Sequence, residues 1–454
     1  MNGTQRSYRR RSLFGPLLVA AIGVVILLNN LGYFSRQHVF WWFSRYWPLI
    51  LILWGIVKFA EYLWARSRNE PYPGIGGGGV VFLVFLILFG MAATGATRVN
   101  WGFVDIDPGD DWGDGLGIFG TRYDFTESFA TPMPTGKQVR VLSSRGDITI
   151  TPSPDDQAHV FVHKYVRGHS QDEANQFNNA THPKFDQQGS VWLLDLTGGS
   201  FSQGRFKLEM QVPPKYMVSL TNRRGDIHVS QIQADVDIET SRGDVMAEQI
   251  KGNAQLRAHR GDVKATSITG NVSVDGDVRD TAVVDVGGTV NFTGSYTRDI
   301  ELSHISGQIK FNSIRTDLQL ARLDGDLNMD RSNLRADSVS GPFILRTDAK
   351  DIHIEKISGD VHIDDRTGNI RLEASASPGN IDISTTDSEI NIHLPENAGF
   401  QVDAESDNGQ ILSDFGSLNI HNERSNATAV GTVGKGGPLV RLKTTRGTIQ
   451  IHKQ

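Results

Sequence analysis

From residue 220 onward a Gly-Asp pair returns every 18 residues, and the apolar positions between its copies return with it. Gly225, Gly243 and Gly261 are followed by Asp226, Asp244 and Asp262. Ile227, Val245 and Val263 share one register, as do Ile232, Ile250 and Ile268; so do Ile238, Leu256 and Val274, and Val236, Ala254 and Val272. A fixed period of this kind marks a solenoid, in which each repeat buries its apolar face only against its neighbours. Within a repeat apolar and polar residues alternate, as in Ile227-His228-Val229 and Val272-Ser273-Val274. Period two means strand with one face buried. Gly-Asp or Gly-Asn punctuates the strands as turns, because Gly tolerates positive φ and Asp or Asn bonds nearby backbone. A second Gly half a repeat later (Gly252, Gly270) divides each coil into two strand–turn units.

The pattern runs on with small slips. Gly288, Gly307, Gly325, Gly341 and Gly359 are separated by 19, 18, 16 and 18 residues, and Ile300, Leu318, Leu334 and Ile352 track them as a further column. Ile370/Leu372, Ile381/Ile383 and Ile390/Ile392 keep the alternation. Residues 220–454 are thus expected to form roughly 13 coils and a rod on the order of 60 Å long. Residues 123–220 read as an atypical start to the same domain, since Val139-Arg140-Val141 and Gly146-Asp147-Ile148-Thr149-Ile150 repeat the template. A short helix is expected over 170–180, and a strand over 206–212 before the Pro213-Pro214 turn. The predicted fold class is all-β, a parallel β-solenoid (β-helix) of about 18 residues per coil, preceded by three transmembrane α-helices.

Those helices rest on three apolar stretches, about 13–31, 47–63 and 80–97, each near the ~20 residues that cross a bilayer. They define a membrane domain over 1–99, and the Gly/Asp-rich stretch 100–122 reads as a linker. Trp41, Trp42, Trp47 and Trp64 flank the second span as an aromatic belt. Charge follows the same division. Residues 1–100 carry ten Lys/Arg against Glu61 and Glu70, a net of +8, and the remainder carries 35 basic and 49 acidic residues, a net of −14. So acidic a body repels phosphate, which argues against nucleic acid. Arg6, Arg9, Arg10 and Arg11 in the N-tail, with Arg66 and Arg68 in the second loop, outnumber Arg36 and Arg45 in the first. Positive-inside bias then places the N-terminus in the cytoplasm and the solenoid outside, on a multi-pass membrane anchor.

Two resemblances follow from these residues. Gly15-Pro16-Leu17-Leu18, Leu27-Leu28-Asn29-Asn30-Leu31-Gly32 and Trp47-Pro48-Leu49-Ile50-Leu51-Ile52 resemble the LiaI/LiaF-like transmembrane region of envelope-stress proteins over the first 65 residues or so. The Gly-Asp-Ile/Val repeats, Val212-Pro213-Pro214 and the closing Thr444-Thr445-Arg446-Gly447-Thr448-Ile449-Gln450-Ile451 resemble the bacterial putative-adhesin β-strand-repeat family, a domain of unknown function. The likeness spans nearly all of 123–454. It implies a β-solenoid in the cell envelope and supplies no catalytic residues to carry over.

Candidate chemistry is sparse. The chain has no cysteine, hence no disulfide and no thiolate metal site. Arg-Gly-Asp begins at Arg145, Arg224, Arg242 and Arg260; integrin-type adhesion is one reading, but turn chemistry explains the Gly-Asp pair unaided. A calcium β-roll needs Gly-Gly-x-Gly-x-Asp, whereas each half-repeat here has one Gly followed by Asp; Asp105, Asp107, Asp110 and Asp111 in the linker are a further weak cluster. His228, His353, His362 and His393 alternate with apolar neighbours, so they point outward and would hold a metal only as a ladder across coils. Carbohydrate-active β-helices converge acidic residues on one face, and here Asp and Glu look scattered. No catalytic, cofactor or metal residue is therefore assigned. Three readings stand: a non-catalytic envelope solenoid for adhesion, scaffolding or stress sensing, with protein or glycan partners; a scaffold resembling bactofilins that associates through solenoid ends; and a carbohydrate-active enzyme, which a cluster of carboxylates in a groove would revive.

Overall fold

The computed structural model describes residues 121–454 apart from 134–136, 169, 199, 200, 202 and 203, together with Ile52, Gly55, Ile56 and Phe59, which are helical. The remainder of the three expected membrane helices and the linker up to 120 lie outside the described residues. Among the described residues no helix is long and apolar enough to cross a membrane. The chain divides into one unit of residues 1–123 with 167–175 and another of 124–166 with 176–454. The expected short helix runs from Gln171 to Ala180. Ser170 Oγ accepts the Glu173 N–H (3.2 Å) in a Ser-x-x-Glu start, and Asp172 and Glu173 complement the helix dipole.

The second unit is the solenoid, in which each coil contributes to two ladders, either as two strands or, as with Ala254–Ile268 and Val272–Val286, as one long strand that runs through both. In the first ladder Val218, Val236, Ala254, Val272 and Val290 are successive partners, and in the second Ile227, Val245, Val263, Thr281 and Ile300. All pairings here are parallel, and the columns read from the 18-residue period are borne out. Every residue in these two columns is at most 3% exposed. Each buried Val, Leu or Ile contributes roughly 1.5–3 kcal/mol, so the interior is the main stabilising term.

Stacking, as much as turn conformation, explains the glycines. A Cβ on Gly243 would lie 2.1 Å from the Gly225 carbonyl oxygen, and one on Gly261 would lie 1.9 Å from that of Gly243. Coils one strand spacing apart leave no room there for a side chain. The Asp that follows each Gly is equally committed. Asp226 Oδ1 accepts the Asp244 N–H (2.8 Å), and Asp244 Oδ1 accepts the Asp262 N–H (2.9 Å). Asp235, Asn253 and Asn271 repeat the device at the opposite turn. A second corner is invisible in the sequence: Gln231, Gln249, Ser267, Asp285 and His304 adopt φ of 50–59°, each just before an inward Ile or Val. Left-handed conformation is uncommon for such residues, and here the stacked neighbours hold it.

Two expectations are corrected. The uniform rod stops at Ser313. Thr316–Met329 runs back antiparallel to Ile309–Ser313 and Ile300–Ile305, and Val339–Ala349 turns antiparallel to it again before parallel stacking resumes with Asp351–Thr367. Leu318 therefore lies between Phe311 and Leu345 in the first ladder, away from Ile300, whereas Met329 links Ile300 to Leu334 and Ile352. Antiparallel pairing keeps the inward–outward alternation, so period two alone could not reveal the reversal.

Chain order also departs from spatial order at both ends. Gln138–Ser143 and Ile148–Pro152 stack between residues 191–212 and 217–230. Leu439–Arg446 and Ile449–Lys453 stack between residues 381–394 and 400–413. The closing strand is thus paired on both sides. Antiparallel strands cover the ends, Phe185–Gln188 on Val191–Leu196 at one and Ala427–Val433 with Leu418–Asn422 at the other. Phe177 stacks on Phe206 (6.1 Å) and Phe415 packs edge-on to Phe400 (5.2 Å), closing the core.

The inward column at the end of the first-ladder strands is polar: Thr316, Thr347, Asp365, Thr385 and Thr444 are successive partners. Asp365 is 1% exposed, and neither carboxylate oxygen accepts a well-formed hydrogen bond. Burial pushes it up to about 7, offset in part by the nearby N–H groups of Lys350, Arg366 and Thr367.

Three measurements check this account by urea denaturation. Gly243→Ala is expected to cost at least about 2 kcal/mol through backbone clash, while Gly416→Ala, which meets nothing within 4 Å, stays within about 0.5 kcal/mol. Asp244→Asn, which keeps the acceptor, should be near neutral, and Asp244→Ala should lose about 1 kcal/mol. A buried acid whose folded pKa is raised destabilises once ionised, with the full effect above pH 7 and none below about 4. Asp365→Thr, matching its column neighbours, is expected to gain about 1–3 kcal/mol at pH 8, and that gain should fade as pH drops from 7 to 4.

Candidate functional site

The turn aspartates and the outward face of the second ladder form an open groove of about 650 Å³. One wall carries Asp147, Asp226, Asp244, Asp262, Asp280 and Asp299, one per coil. The floor is the outward column Thr149, His228, Met246, Lys264, Ala282 and Glu301, in register from coil to coil. The acids that looked scattered in the sequence are therefore gathered on one wall. Asp147 joins them although 79 residues separate it from Asp226, because its coil is inserted beneath. The spacing that would have signalled it is broken by the intervening end structure.

Carboxylates about 4.8 Å apart repel one another by roughly 1 kcal/mol in water. Arginines offset this. Arg279 reaches Asp244 (3.2 Å) and Asp262 (2.9 Å), Arg298 reaches Asp280 (3.4 Å), and Arg205 reaches Asp147 (3.4 Å). These pairs are half-exposed and each contributes little. The four Arg-Gly-Asp tripeptides occupy the same wall, three between strands and the fourth at a register shift within Ala254–Ile268. The Gly146 N–H donates to the Arg224 carbonyl (2.8 Å), and the Gly225 N–H donates to the Arg242 carbonyl (2.9 Å), so the tripeptides lie against one another in the backbone ladder. The groove can attract cations and accept hydrogen bonds at a regular spacing. Asp147, Asp226, Asp244, Asp262 and Asp280 each accept the backbone N–H of the aspartate in the next coil.

The four singled-out histidines do not fall in register with one another. His228 lies beside Glu248 (3.4 Å), His353 beside Glu355 (3.0 Å), and His362 beside Asp382 (3.4 Å). His393 stacks on His452, with ring centroids 5.1 Å apart. Among the described residues no group of three or more His, Asp or Glu is placed to hold a metal ion. The linker aspartates 105, 107, 110 and 111 lie outside the described residues.

One charged cluster was missed. Lys164 is fully buried, with Nζ donating to Glu127 (2.5 Å) and Asn178 (3.1 Å), and His182 lies 3.0 Å from Glu127. Burial pushes Glu127 up, but hydrogen bonds from Lys164 and His182 outweigh it and hold the carboxyl below its ordinary range. The signal was present: Ala158, Val160, Val162, Lys164 and Val166 share one strand phase, so Lys164 had to point inward.

Residues 136–342 and 270–452 each match the family profile Toastrack DUF4097, and the two matches overlap across the chain reversal. Residues 13–59 match the LiaI-LiaF-like transmembrane region. Similar solved structures include a putative cell adhesion protein of Clostridium sporogenes, at 10% identity over 73% of this chain and 100% of that one, with a TM-score of 0.17. A putative adhesin of Bacteroides fragilis is 11% identical over 73% of this chain and 97% of its own, with a TM-score of 0.23. One from Parabacteroides merdae is 11% identical over 74% and 98%, with a TM-score of 0.22. No curated protein matches the chain. With matches that together span residues 136–452, the chain belongs to the Toastrack DUF4097 family and joins that domain to a LiaI-LiaF-like transmembrane region.

Proposed function

We propose that this is a membrane-anchored protein of the bacterial envelope whose solenoid stands outside the cytoplasm and presents a non-catalytic binding surface. The observation that carries the reading is the groove wall: its carboxylates recur once per coil and serve as turn acceptors, which suits recognition of an extended partner better than bond-making chemistry. A protein segment or a glycan bearing hydrogen-bond donors at regular intervals fits such a surface. Anchoring is supported by the transmembrane-region match over 13–59 and by Ile52, Ile56 and Phe59, three apolar side chains on one helical face that are all more than half exposed. The excess of arginines in the N-tail and second loop supports an external solenoid.

Topology is the deciding measurement. Ser425 sits at an exposed turn between two antiparallel strands, and the native chain has no cysteine. Ser425→Cys in intact cells should react with a membrane-impermeant maleimide to the same extent as in permeabilised cells. Labelling only after permeabilisation would place the solenoid in the cytoplasm and end the envelope-binding reading.

A further inference from the structure

Residues 439–454 enter the solenoid out of order, as a strand pair slotted between residues 381–394 and 400–413. A loop of Gly434, Lys435, Gly436, Gly437 and Pro438 leads into them, and all three of its glycines have positive φ. Val440, Leu442, Ile449 and Ile451 of the strand pair are completely buried.

The charge pattern is one-sided. Residues 439–454 contain Arg441, Lys443, Arg446 and Lys453 and no acid, whereas residues 374–414 contain eight acids and no Lys or Arg. Each cation meets a carboxylate of a flanking coil: Arg446 with Asp387, Lys453 with Glu396 (2.9 Å), Lys443 with Glu405 (3.1 Å), and Arg441 with Asp403 (3.7 Å). Exposed pairs of this kind add little stability. Their effect is selection, since two acidic coils set side by side would repel, and a basic strand pair between them satisfies both. Buried apolar columns supply the affinity, and charge chooses the occupant and its register.

We propose that residues 381–394 and 400–413 form an acidic slot for a basic strand pair, and that residues 439–454 of a second copy of this chain can occupy it in exchange for the chain's own. A second copy is the partner whose fit is already displayed, because exchange reproduces every contact of the closed form, and exchange of an identical element between protomers is a low-cost route to a dimer.

The test uses the full chain in detergent, with a protease site inserted in the 434–438 loop. After folding and cleavage, a fluorescent synthetic peptide of residues 439–454 should enter the slot and displace the native segment. Raising NaCl from about 50 to about 500 mM should speed displacement about tenfold, because screening weakens the ion pairs. The same peptide carrying Arg441→Glu, Lys443→Glu and Arg446→Glu should stay out. Uncleaved chains bearing two different tags should form mixed pairs. Asp387→Cys with Arg446→Cys, cross-strand partners, should lock the segment by a disulfide and abolish that mixing. A cleaved segment that leaves only when the whole domain unfolds would overturn the proposal, as would equal entry of the charge-reversed peptide. Peptide exchange without mixed pairs would overturn the second copy as occupant.

Discussion

Each residue of this solenoid is held one strand spacing from its equivalent in the next coil, and most other features follow from that contact. A column must fill the same interior space at every level, so apolar identity persists while exact side chains drift, as in Val236, Ala254 and Val272. Where two backbones approach closest no side chain fits, and glycine recurs. Where a turn would leave an N–H unpaired, the Asp of the coil beneath accepts it. The repeat is thus a record of stacking geometry, and Arg-Gly-Asp in this chain belongs to that record before it belongs to any partner.

The same contact amplifies charge. A single surface Asp has little consequence, but stacking turns one Asp per coil into an acidic wall, and arginines from neighbouring coils settle along it. Near the other end the logic is carried between whole coils: a basic strand pair lies between two acidic ones. In both cases neighbouring coils carry complementary charge, while buried Val, Ile and Leu supply the stability. Lys164 and Asp365 mark places where a charge was taken inside. Lys164 is matched by Glu127, whereas burial pushes the Asp365 carboxyl well above its ordinary range.

The interior columns, the two strand segments per coil, the turn role of Gly-Asp and the short helix were determined by the sequence, because each depends on local periodicity and turn chemistry. Even buried Lys164 was legible from strand phase. Direction, order and juxtaposition were decided only by the tertiary structure. Period two is the same read forwards or backwards, so the reversal at 314–332 left no mark beyond the 16-residue interval between Gly325 and Gly341. Stacking of 138–152 and of 439–453 between coils distant in sequence depends on which strand edges the fold sets one spacing apart, a property of no local stretch. The acidic wall and the basic strand pair were present in the sequence as scattered letters, and stacking at one strand spacing made them surfaces.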